Sequence, residues 1–315
     1  VIRRVTGHSF FMKYRYPAML HTMPKNLVIF GGFAIGLILM VSIYGVLHAR
    51  RVYVRQDPVV IEKSSSLPGL KIALIADLHL GYNSTKSHVR KIVDTINSQN
   101  VDLVCIAGDL FDNDYNAIKD PDEVADILSG IKSRYGTYAC WGNHDVSEKI
   151  LAGFTFPQKE TIVRDGRFTE FLHHAGITML EDEAICINNA FYLAGRRDKD
   201  MAQKEQLPRK TFAEITEPLD PSLPIIVMDH QPGELPEASD AGVDLDLSGH
   251  THDGQMFPAN LVIHFLWENA CGVLKKGAMT SIVTSGAGVW GPAMRVGTNN
   301  EVVIANVSFD PATDQ

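Results

Sequence analysis

The chain has 315 residues, of which 45% are hydrophobic and 21% are charged, and its formal net charge at pH 7 is −8. This composition is ordinary for a globular protein and excludes a disordered chain or a polytopic membrane protein, and the length suffices for one large domain or two ordinary ones. A nonspecific nucleic-acid binder depends on many contacts from Lys and Arg to phosphate, so the net negative charge argues against nucleic acid as a partner.

An uncharged apolar segment lies between Lys25 and Arg50 and reads NLVIFGGFAIGLILMVSIYGVLHA. A bilayer core takes about 20 helical residues to cross. We therefore predict a transmembrane helix over residues 27–48, after an N-terminal flank of residues 1–26, in a single-pass protein of the cell membrane. A secretory signal peptide and a buried core helix are the alternatives, but the sequence GVLHARRV offers no small-residue cleavage site. Basic residues flank the segment on both sides, so its orientation stays open.

The next segment, residues 49–69, is rich in charges, serines and turn-forming residues and predicts an extended linker. A soluble domain over residues 70–315 then opens with the apolar strand pattern LKIALIADLHLG. Residues 85–100 have apolar side chains at helical spacing, and VDLVCIAGDLFDN repeats the pattern of apolar strand followed by acidic loop. These three elements predict a βαβ unit.

A second helix is predicted over residues 120–136, and TYACWGNHD reads as a third strand with its loop. GRFTEFLHHAG predicts one more helix. Beyond it, β-prone runs follow one another with little helix between the later ones, at residues 177–180, 184–187, 190–195, 223–232, 243–255, 279–291 and 301–309. The order of elements predicts an α/β fold with a mixed sheet, or two packed sheets, and helices on the outer faces.

Four cysteines occur without CxxC pairs or dense spacing, which indicates neither a disulfide framework nor a thiolate zinc site. Three of them, Cys105, Cys140 and Cys186, stand in strand-like runs. We expect these three to be small buried hydrophobic residues.

Five loops, each directly after a predicted strand, carry the polar residues of a candidate site. Loops at the carboxyl ends of strands are where α/β sheets bind ligands, so these five loops can converge. A single histidine after a strand is more often a hydrogen-bonded structural residue than a ligand, and the prediction rests on their joint occurrence. The residues are Asp77, His79, Asp109, Asp112, Asn143, His144, Asp145, His230, His250 and His252.

Carboxylates, imidazoles and one amide make up this set, and it contains no thiolate. Such nitrogen and oxygen donors suit Mn, Fe, Zn or similar divalent ions. Seven of the residues can serve as donors, whereas one tetrahedral site uses four, so the number favours two metal ions with one shared carboxylate.

In chain order the motifs are D-x-H at Asp77, G-D-x-x-D at Gly108, G-N-H-D at Gly142, the lone His230, and G-H-x-H at Gly249. Together they resemble the calcineurin-like metallophosphoesterases. The sequences YGVLHARRVYV and GVWGPAMRVGT are similar to the membrane-anchored bacterial branch of that family. The resemblance implies a four-layer α/β/β/α sandwich behind the transmembrane helix, with residues 70–315 as the catalytic domain.

The resemblance also implies a role for each residue. One metal would be held by Asp77, His79, Asp109 and His252, and the second by Asn143, His230 and His250 with Asp109 as the bridge. His144 would face the substrate, stabilising charge or protonating the leaving group. Asp112 and Asp145 match positions that orient imidazole ligands. Asp253 replaces a glycine common in this branch and is a candidate for contact with substrate.

The implied activity is hydrolysis of a phosphomonoester, phosphodiester or pyrophosphate by a hydroxide that bridges two divalent ions. The substrate would be a phosphorylated small molecule or a lipid-linked phosphate. The alternatives are a phosphatase for phosphoproteins or soluble nucleotides, and a catalytically silent metal-binding scaffold. The branch resembled favours an extracytoplasmic catalytic domain.

One apolar stretch follows the last motif and reads FPANLVIHFLWENACGVLKKG, residues 257–277. It is consistent with two structures, an apolar lip beside the site that would contact lipid and a segment that fills the core. Sequence alone leaves this choice open, together with the substrate, the native metals and the oligomeric state.

Overall fold

The computed structural model describes residues 24–148 and 164–309, together with residues 150, 151, 154, 155 and 162 between these ranges. The chain divides into two compact units, Val1–Ile43 and Tyr44–Gln315. The predicted flank of residues 1–26 lies outside the described residues as far as residue 23.

The first unit contains most of helix α1 (Lys25–His48), whose 24 residues are apolar on every side. Its mean hydropathy is 2.4, and the span lacks buried residues apart from Gly45 in its last turn. Within the described part of the chain, it is the one helix long and apolar enough to cross a membrane. A helix that presents apolar side chains all round is suited to an apolar solvent.

The second unit is built from strands and short helices. Its strands are β1 (Val52–Ile61), β2 (Leu70–Ile75), β3 (Leu103–Ala107), β4 (Thr137–Cys140), β5 (Ile150–Leu151), β6 (Phe154–Thr155), β7 (Ile177–Met179), β8 (Glu183–Ile187), β9 (Phe191–Gly195), β10 (Ile225–Met228), β11 (Leu245–Ser248), β12 (Gly272–Lys276), β13 (Met279–Val283) and β14 (Asn300–Phe309). Its helices are α2 (Lys86–Ser98), α3 (Pro121–Ser129), α4 (Gly166–His174), α5 (Lys199–Glu205), α6 (Phe212–Thr216), α7 (Leu235–Asp240) and α8 (Ala259–Leu266).

Two mixed six-stranded sheets organise this unit. The first has the order β1-β14-β2-β3-β4-β7, in which only the β14–β2 pair is antiparallel. The second has the order β12-β13-β11-β10-β9-β8, with antiparallel pairs at its two edges and parallel strands between them. The predicted α/β class with two mixed sheets is confirmed.

Side chains on β2 alternate between two apolar cores, as the period of two in a strand requires. Ile72 and Leu74 belong to a core that they share with Ile226 and Leu247 of the second sheet, whereas Ala73 and Ile75 belong to a core shared with helices α2, α3 and α4. A third core joins the second sheet to α6 and α7. The layers are therefore helix, sheet, sheet, helix, which is the sandwich that the resemblance implies.

The structure corrects the linker predicted over residues 49–69. Residues 52–61 form β1, which pairs in parallel with β14 over ten residues at the edge of the first sheet. Inward-facing Asp57, Val59 and Ile61 are buried, and their neighbours are exposed. Alternating burial of this kind is typical of an edge strand, and the Pro58 and charged residues that suggested a linker are tolerated at such an edge.

The later half of the chain contains more helix than the sequence predicted. Two short helices connect β9 to β10 and one connects β10 to β11, which makes these neighbours parallel. Helices of five to seven residues complete fewer than two turns, so their apolar periodicity is too brief to recognise. The helix predicted over 120–136 ends at Ser129, where Gly130 caps it.

The cysteines follow the prediction in part. Cys105 and Cys140 are buried, but Cys186 is exposed. Cys186 lies on β8, which is an edge strand of the second sheet, and its side chain points outward.

Candidate metal centre

The five motif loops leave the carboxyl ends of β2, β3, β4, β10 and β11. The first three strands are parallel neighbours in one sheet and the last two are parallel neighbours in the other. Because parallel strands end at the same edge of a sheet, and the two sheets pack face to face, all five loops meet at one end of the sandwich.

One group of side chains contains Asp77, His79 and His252, and all three are buried. The Nε2 atoms of His79 and His252 lie 3.1 Å apart. The Nε2 atom of His252 lies 3.6 Å from Oδ1 of Asp77, and Nε2 of His79 lies 3.8 Å from Oδ2 of Asp109. The last contact links this group to the second.

The second group contains Asp109, His230 and His250, with the amide of Asn143 between them. Oδ1 of Asn143 lies 3.1 Å from Nε2 of His230 and 2.9 Å from Nδ1 of His250. Oδ2 of Asp109 lies 3.1 Å from Nε2 of His230. The structure thus brings together all seven residues that the sequence proposed as metal donors.

The donor atoms of the second group are suited to bind a cation, because their lone pairs point toward one another. Nδ1 of His230 lies 2.8 Å from the carbonyl oxygen of Ala107, and a ring N–H must be the donor in that hydrogen bond. In the neutral ring Nε2 then carries a lone pair, and it faces the oxygens of Asp109 and Asn143. Without a metal ion these buried acceptors are satisfied only when the His230 ring takes up a proton, whereas a divalent ion binds all three lone pairs and leaves the ring neutral.

The electrostatics of the pair Asp109 and His230 support this interpretation. Burial alone would lower the pKa of His230, but the adjacent carboxylate outweighs it and raises that pKa well above its ordinary value. The same attraction overcomes burial at Asp109 and lowers its pKa. At His250, burial and the nearby charge of His230 outweigh the attraction of Asp109 and lower the pKa to about 3. The buried carboxylate therefore stabilises positive charge at the point where the two groups meet.

Backbone strain accompanies the donors. Asp77, His79, Asp109, His250 and His252 all have φ between 44° and 72°, which is the left-handed region that residues with a Cβ seldom adopt. Each such residue costs of order 1 kcal/mol or more and persists only where the surroundings fix it. Five of the seven proposed donors have this left-handed conformation. The backbone at the site therefore positions the donor side chains at a cost in stability.

Gly249 is required because another strand end lies against it. A Cβ at this position would lie 2.4 Å from Cβ of Ala76 and 2.8 Å from Oδ2 of Asp77. The close approach lets the amide of His250 donate to both oxygens of Asp77, at 3.1 Å each. The G-H-x-H motif is thereby fixed to the D-x-H motif.

His144 lies at the rim of the same cluster and is half-buried. Its backbone N–H donates to Oδ1 of Asp109 at 2.8 Å, and its Nδ1 lies 2.5 Å from Oδ1 of Asn113. Nδ2 of Asn113 donates to Glu148 at 3.0 Å, which fixes the orientation of the amide. Nδ1 of His144 must then be the donor in this hydrogen bond. The other ring nitrogen, Nε2, is the one that can exchange a proton with a molecule in the cavity. Burial lowers the pKa of His144 to about 4.

The two carboxylates proposed to orient imidazoles occupy different positions. Oδ1 of Asp112 lies 3.6 Å from Nδ1 of His79, the outer nitrogen of that ring. Asp145 accepts hydrogen bonds from the backbone N–H groups of Phe111 and Gly142, at 2.8 and 2.7 Å. Asp112 therefore approaches a proposed ligand directly, whereas Asp145 ties together the loops after β3 and β4.

Asp253 lies next to the cluster but contacts helix α8. Its Oδ1 lies 2.9 Å from Nε2 of His264 in that helix. The carboxylate is partly buried, which raises its pKa from the ordinary value. This contact ties the metal loop to α8.

A cavity of about 300 Å³ opens above the donors. Polar residues of the cluster form its floor, and apolar side chains form its walls. Trp267 packs edge-on against His250, with ring centroids 5.4 Å apart. The lining residues are Asp109, His144, His250, Thr251, His252, Gly254, Gln255, Ile263, Trp267 and Trp290.

Sequence reasoning missed two polar residues that support the site. Asn113 directly follows the G-D-x-x-D motif and holds His144. Arg295 is fully buried beneath His252, and no carboxylate of the described residues lies within ion-pair distance of it. Its five N–H groups donate to neutral acceptors, which are the backbone oxygens of His252, Ser285 and Gly288 and the side chains of Thr298 and Asn300. The one sequence signal for Arg295 was its position in the glycine-rich run GVWGPAMRVGT.

Comparison with known proteins agrees with the motifs. A model of the calcineurin-like phosphoesterase family matches residues 70–254. An uncharacterized metallophosphoesterase of Helicobacter pylori is 31% identical over 251 residues, which cover 79% of this chain and 62% of that protein.

Two further relatives are associated with membranes or lipids by name. A transmembrane protein with metallophosphoesterase domain from Danio rerio is 28% identical, covering 84% of this chain and 59% of that protein. The UDP-2,3-diacylglucosamine pyrophosphatase LpxG of Chlamydia muridarum is 23% identical, covering 62% and 67%. The chain spans about three fifths of the length of the first two relatives.

Proposed function

The chain belongs to the calcineurin-like phosphoesterases, and from this membership we propose that it is a membrane-anchored phosphoesterase that uses two divalent cations. The observation that carries the proposal is the convergence of four imidazoles, two carboxylates and one amide in one cluster. Three of these seven residues, Asp109, His250 and His252, line a single cavity. The family is metal-dependent, and the donor groups of this chain could hold metal ions.

One cation would be held by Asp77, His79, Asp109 and His252. A second would be held by Asn143, His230 and His250, and Asp109 would be shared because it lies near donors of both groups. Nitrogen and oxygen donors without thiolate suit Mn, Fe or Zn. When bound, a pair of such ions polarises a phosphoryl group and activates water for in-line attack.

The chain's own residues position the substrate and move its proton. In this proposal Nε2 of His144 faces the phosphoryl group. It takes up a proton when the anionic substrate binds, and then stabilises developing charge or delivers that proton to the leaving oxygen. Asn113 keeps the ring oriented through Nδ1. Trp267 and Ile263 exclude water from the cavity, which strengthens every charge interaction inside it.

We also propose that helix α1 anchors the protein in a membrane. Its length and hydropathy support this, as do the transmembrane relative and the membrane-associated sequence pattern around it. Digestion of the catalytic domain by external protease in intact cells would reveal its side of the membrane, and an extracytoplasmic domain is expected to be cut.

The substrate proposed is a phosphate ester or pyrophosphate linked to a lipid. Apolar cavity walls and the pyrophosphatase relative support it. Purified full-length protein in detergent should be tested on lipid phosphates, cyclic nucleotides and phosphopeptides. Preference for soluble substrates without lipid turnover would support the alternative of a phosphoprotein or nucleotide phosphatase.

The activity itself is tested with a generic aryl phosphate or phosphodiester and added Mn²⁺. Asp109→Asn should abolish hydrolysis, because it removes the carboxylate shared by both groups of donors. Asp94→Asn is the matched control, since Asp94 is exposed on α2. If the unsubstituted protein bound Mn²⁺ but hydrolysed nothing in the panel, the silent scaffold would be the better interpretation.

A further inference from the structure

Helix α8 and the residue two positions before it form an apolar ridge, which we define as Phe257, Leu261, Val262, Phe265 and Leu266. All five side chains are exposed, and Phe265 and Leu266 are 88% and 71% exposed. No residue of α8 is buried. The idea that residues 257–277 only fill the core is therefore wrong for the helical part of that segment.

The helix has two different faces. Ile263, together with Trp267 just beyond the helix end, lines the cavity above the metal donors. His264 pairs with Asp253 of the metal loop at 2.9 Å. The ridge residues lie at spacings of one, four and five along the helix, so they share the opposite, outward face. One side of α8 is thus fixed to the site and the other is uncovered.

The ridge begins beside the last turn of α1. The carbonyl oxygen of Gly45 accepts a hydrogen bond from the backbone N–H of Arg295 at 3.1 Å. The next residue, Val296, pairs with Met256 and accepts a hydrogen bond from the N–H of Phe257 at 2.8 Å. Two residues, Arg295 and Val296, therefore connect the last turn of α1 to the first residue of the ridge.

We propose that the ridge is a membrane-docking surface, and that it lies in the headgroup region of the same bilayer that α1 crosses. The proposal rests on the membrane anchoring put forward above. If α1 spans a bilayer, its last turn lies at the interface, and a surface that is hydrogen-bonded to that turn through Arg295 and Val296 lies there too. Interfacial segments of this type bury an apolar face at the boundary of headgroups and acyl chains.

A second copy of the chain fits the ridge less well. An eight-residue helix is about 12 Å long, and with its width of about 10 Å it offers far less than the roughly 800 Å² per partner of a stable protein interface. The bilayer, by contrast, would lie close to the ridge because the proposed anchor α1 ends beside it.

Spin labels on the full chain in phospholipid nanodiscs test the proposal independently of phosphoesterase activity. The background is Cys186→Ser, since Cys186 is the exposed thiol among the described cysteines. Cys271 is partly exposed and is replaced by serine as well, whereas Cys105 and Cys140 are buried. Single labels are placed through Phe265→Cys and Leu261→Cys, and accessibility is measured to oxygen, which enters lipid, and to a water-soluble nickel complex.

The matched control is Leu207→Cys, an exposed apolar position beside Arg164 and Arg197 on another surface. Docking predicts an oxygen-to-nickel ratio several-fold higher at positions 261 and 265 than at 207. Equal ratios would overturn it. Spin–spin broadening at position 265 would also overturn it, because that result indicates a second copy on the ridge.

A label introduced by Ile38→Cys in α1 separates the two proposals. A high oxygen-to-nickel ratio at 38 with a low ratio at 265 would leave the anchor intact and refute docking alone. A low ratio at 38 would refute the anchor, and the docking proposal with it.

Discussion

Removal of the Asn113 side chain tests how the site positions His144, the histidine proposed to face the substrate. Asn113 is buried, and its Oδ1 lies 2.5 Å from Nδ1 of His144. Loss of a hydrogen bond that leaves a buried group unsatisfied costs about 1–3 kcal/mol. At about 1.4 kcal/mol per factor of ten, kcat should fall roughly 10- to 100-fold.

The substitution must respect the backbone. Asn113 has a φ of 59°, where alanine is strained but glycine is not. Asn113→Gly therefore removes the bond without adding strain, and Asn113→Ala shows how much strain adds. Glu148 keeps a partner in either variant, because Lys204 donates to it at 2.9 Å.

The assay is steady-state hydrolysis of an aryl phosphate under Mn²⁺ saturation, with bound metal measured by mass spectrometry. Metal content should equal that of the unsubstituted protein, since Asn113 contacts none of the proposed donors through its side chain. Turnover of Asn113→Gly within twofold of wild type would refute the positioning role. Loss of metal in parallel with activity would assign Asn113 to the metal site instead.

Three further results are expected. His144→Ala should lower turnover by about 10²- to 10⁴-fold with metal content unchanged, and loss of ions would contradict its placement outside the donor set. Gly249→Ala should lower metal affinity by about 10- to 100-fold because its Cβ would displace Asp77, whereas Gly166→Ala, with open space around it, should bind metal normally. Burial raises the pKa of Asp246 to about 7 from an ordinary 3.8, so its ionisation opposes folding as pH rises from 4 to 7. At about 1.4 kcal/mol per pKa unit, Asp246→Asn should raise the free energy of unfolding by up to ~4 kcal/mol at pH 8 and by little at pH 4, and an equal gain at both pH values in denaturant titrations would refute this.

The structure around the five motifs could be predicted from sequence, because each motif directly follows a buried strand. Apolar runs such as LVCIA of β3 can form only a central strand, and parallel strands bring their terminal loops together. The positions of Asp77, Asp109 and Asn143 at one sheet edge follow from that rule. The sequence could not indicate that Asp253 turns toward His264, since that contact depends on where α8 packs.

The edge strand β1 and the buried Arg295 were harder to predict, because contacts with residues distant in sequence determine their structure. β1 contains Arg55, Asp57 and Pro58 and looks polar, but its partner β14 lies about 250 residues away in sequence. Arg55 is explained by partners far away in sequence, which are Oε1 of Glu301 at 2.6 Å and the carbonyl oxygen of Val283 at 3.1 Å. Arg295 likewise looks like a surface residue until its five acceptors are seen in three dimensions.

The bond between Arg295 and Gly45 determines where the protein can be truncated. The residues that carry the family motifs begin at position 70, but the carbonyls of Gly45 and Ala49 accept hydrogen bonds from Arg295 and from the side chain of Asn300. A version cut at residue 70 would lose both acceptors and the edge strand β1 as well. A soluble version should therefore begin at Tyr44, so that the last turn of the helix is kept when the rest of the anchor is removed.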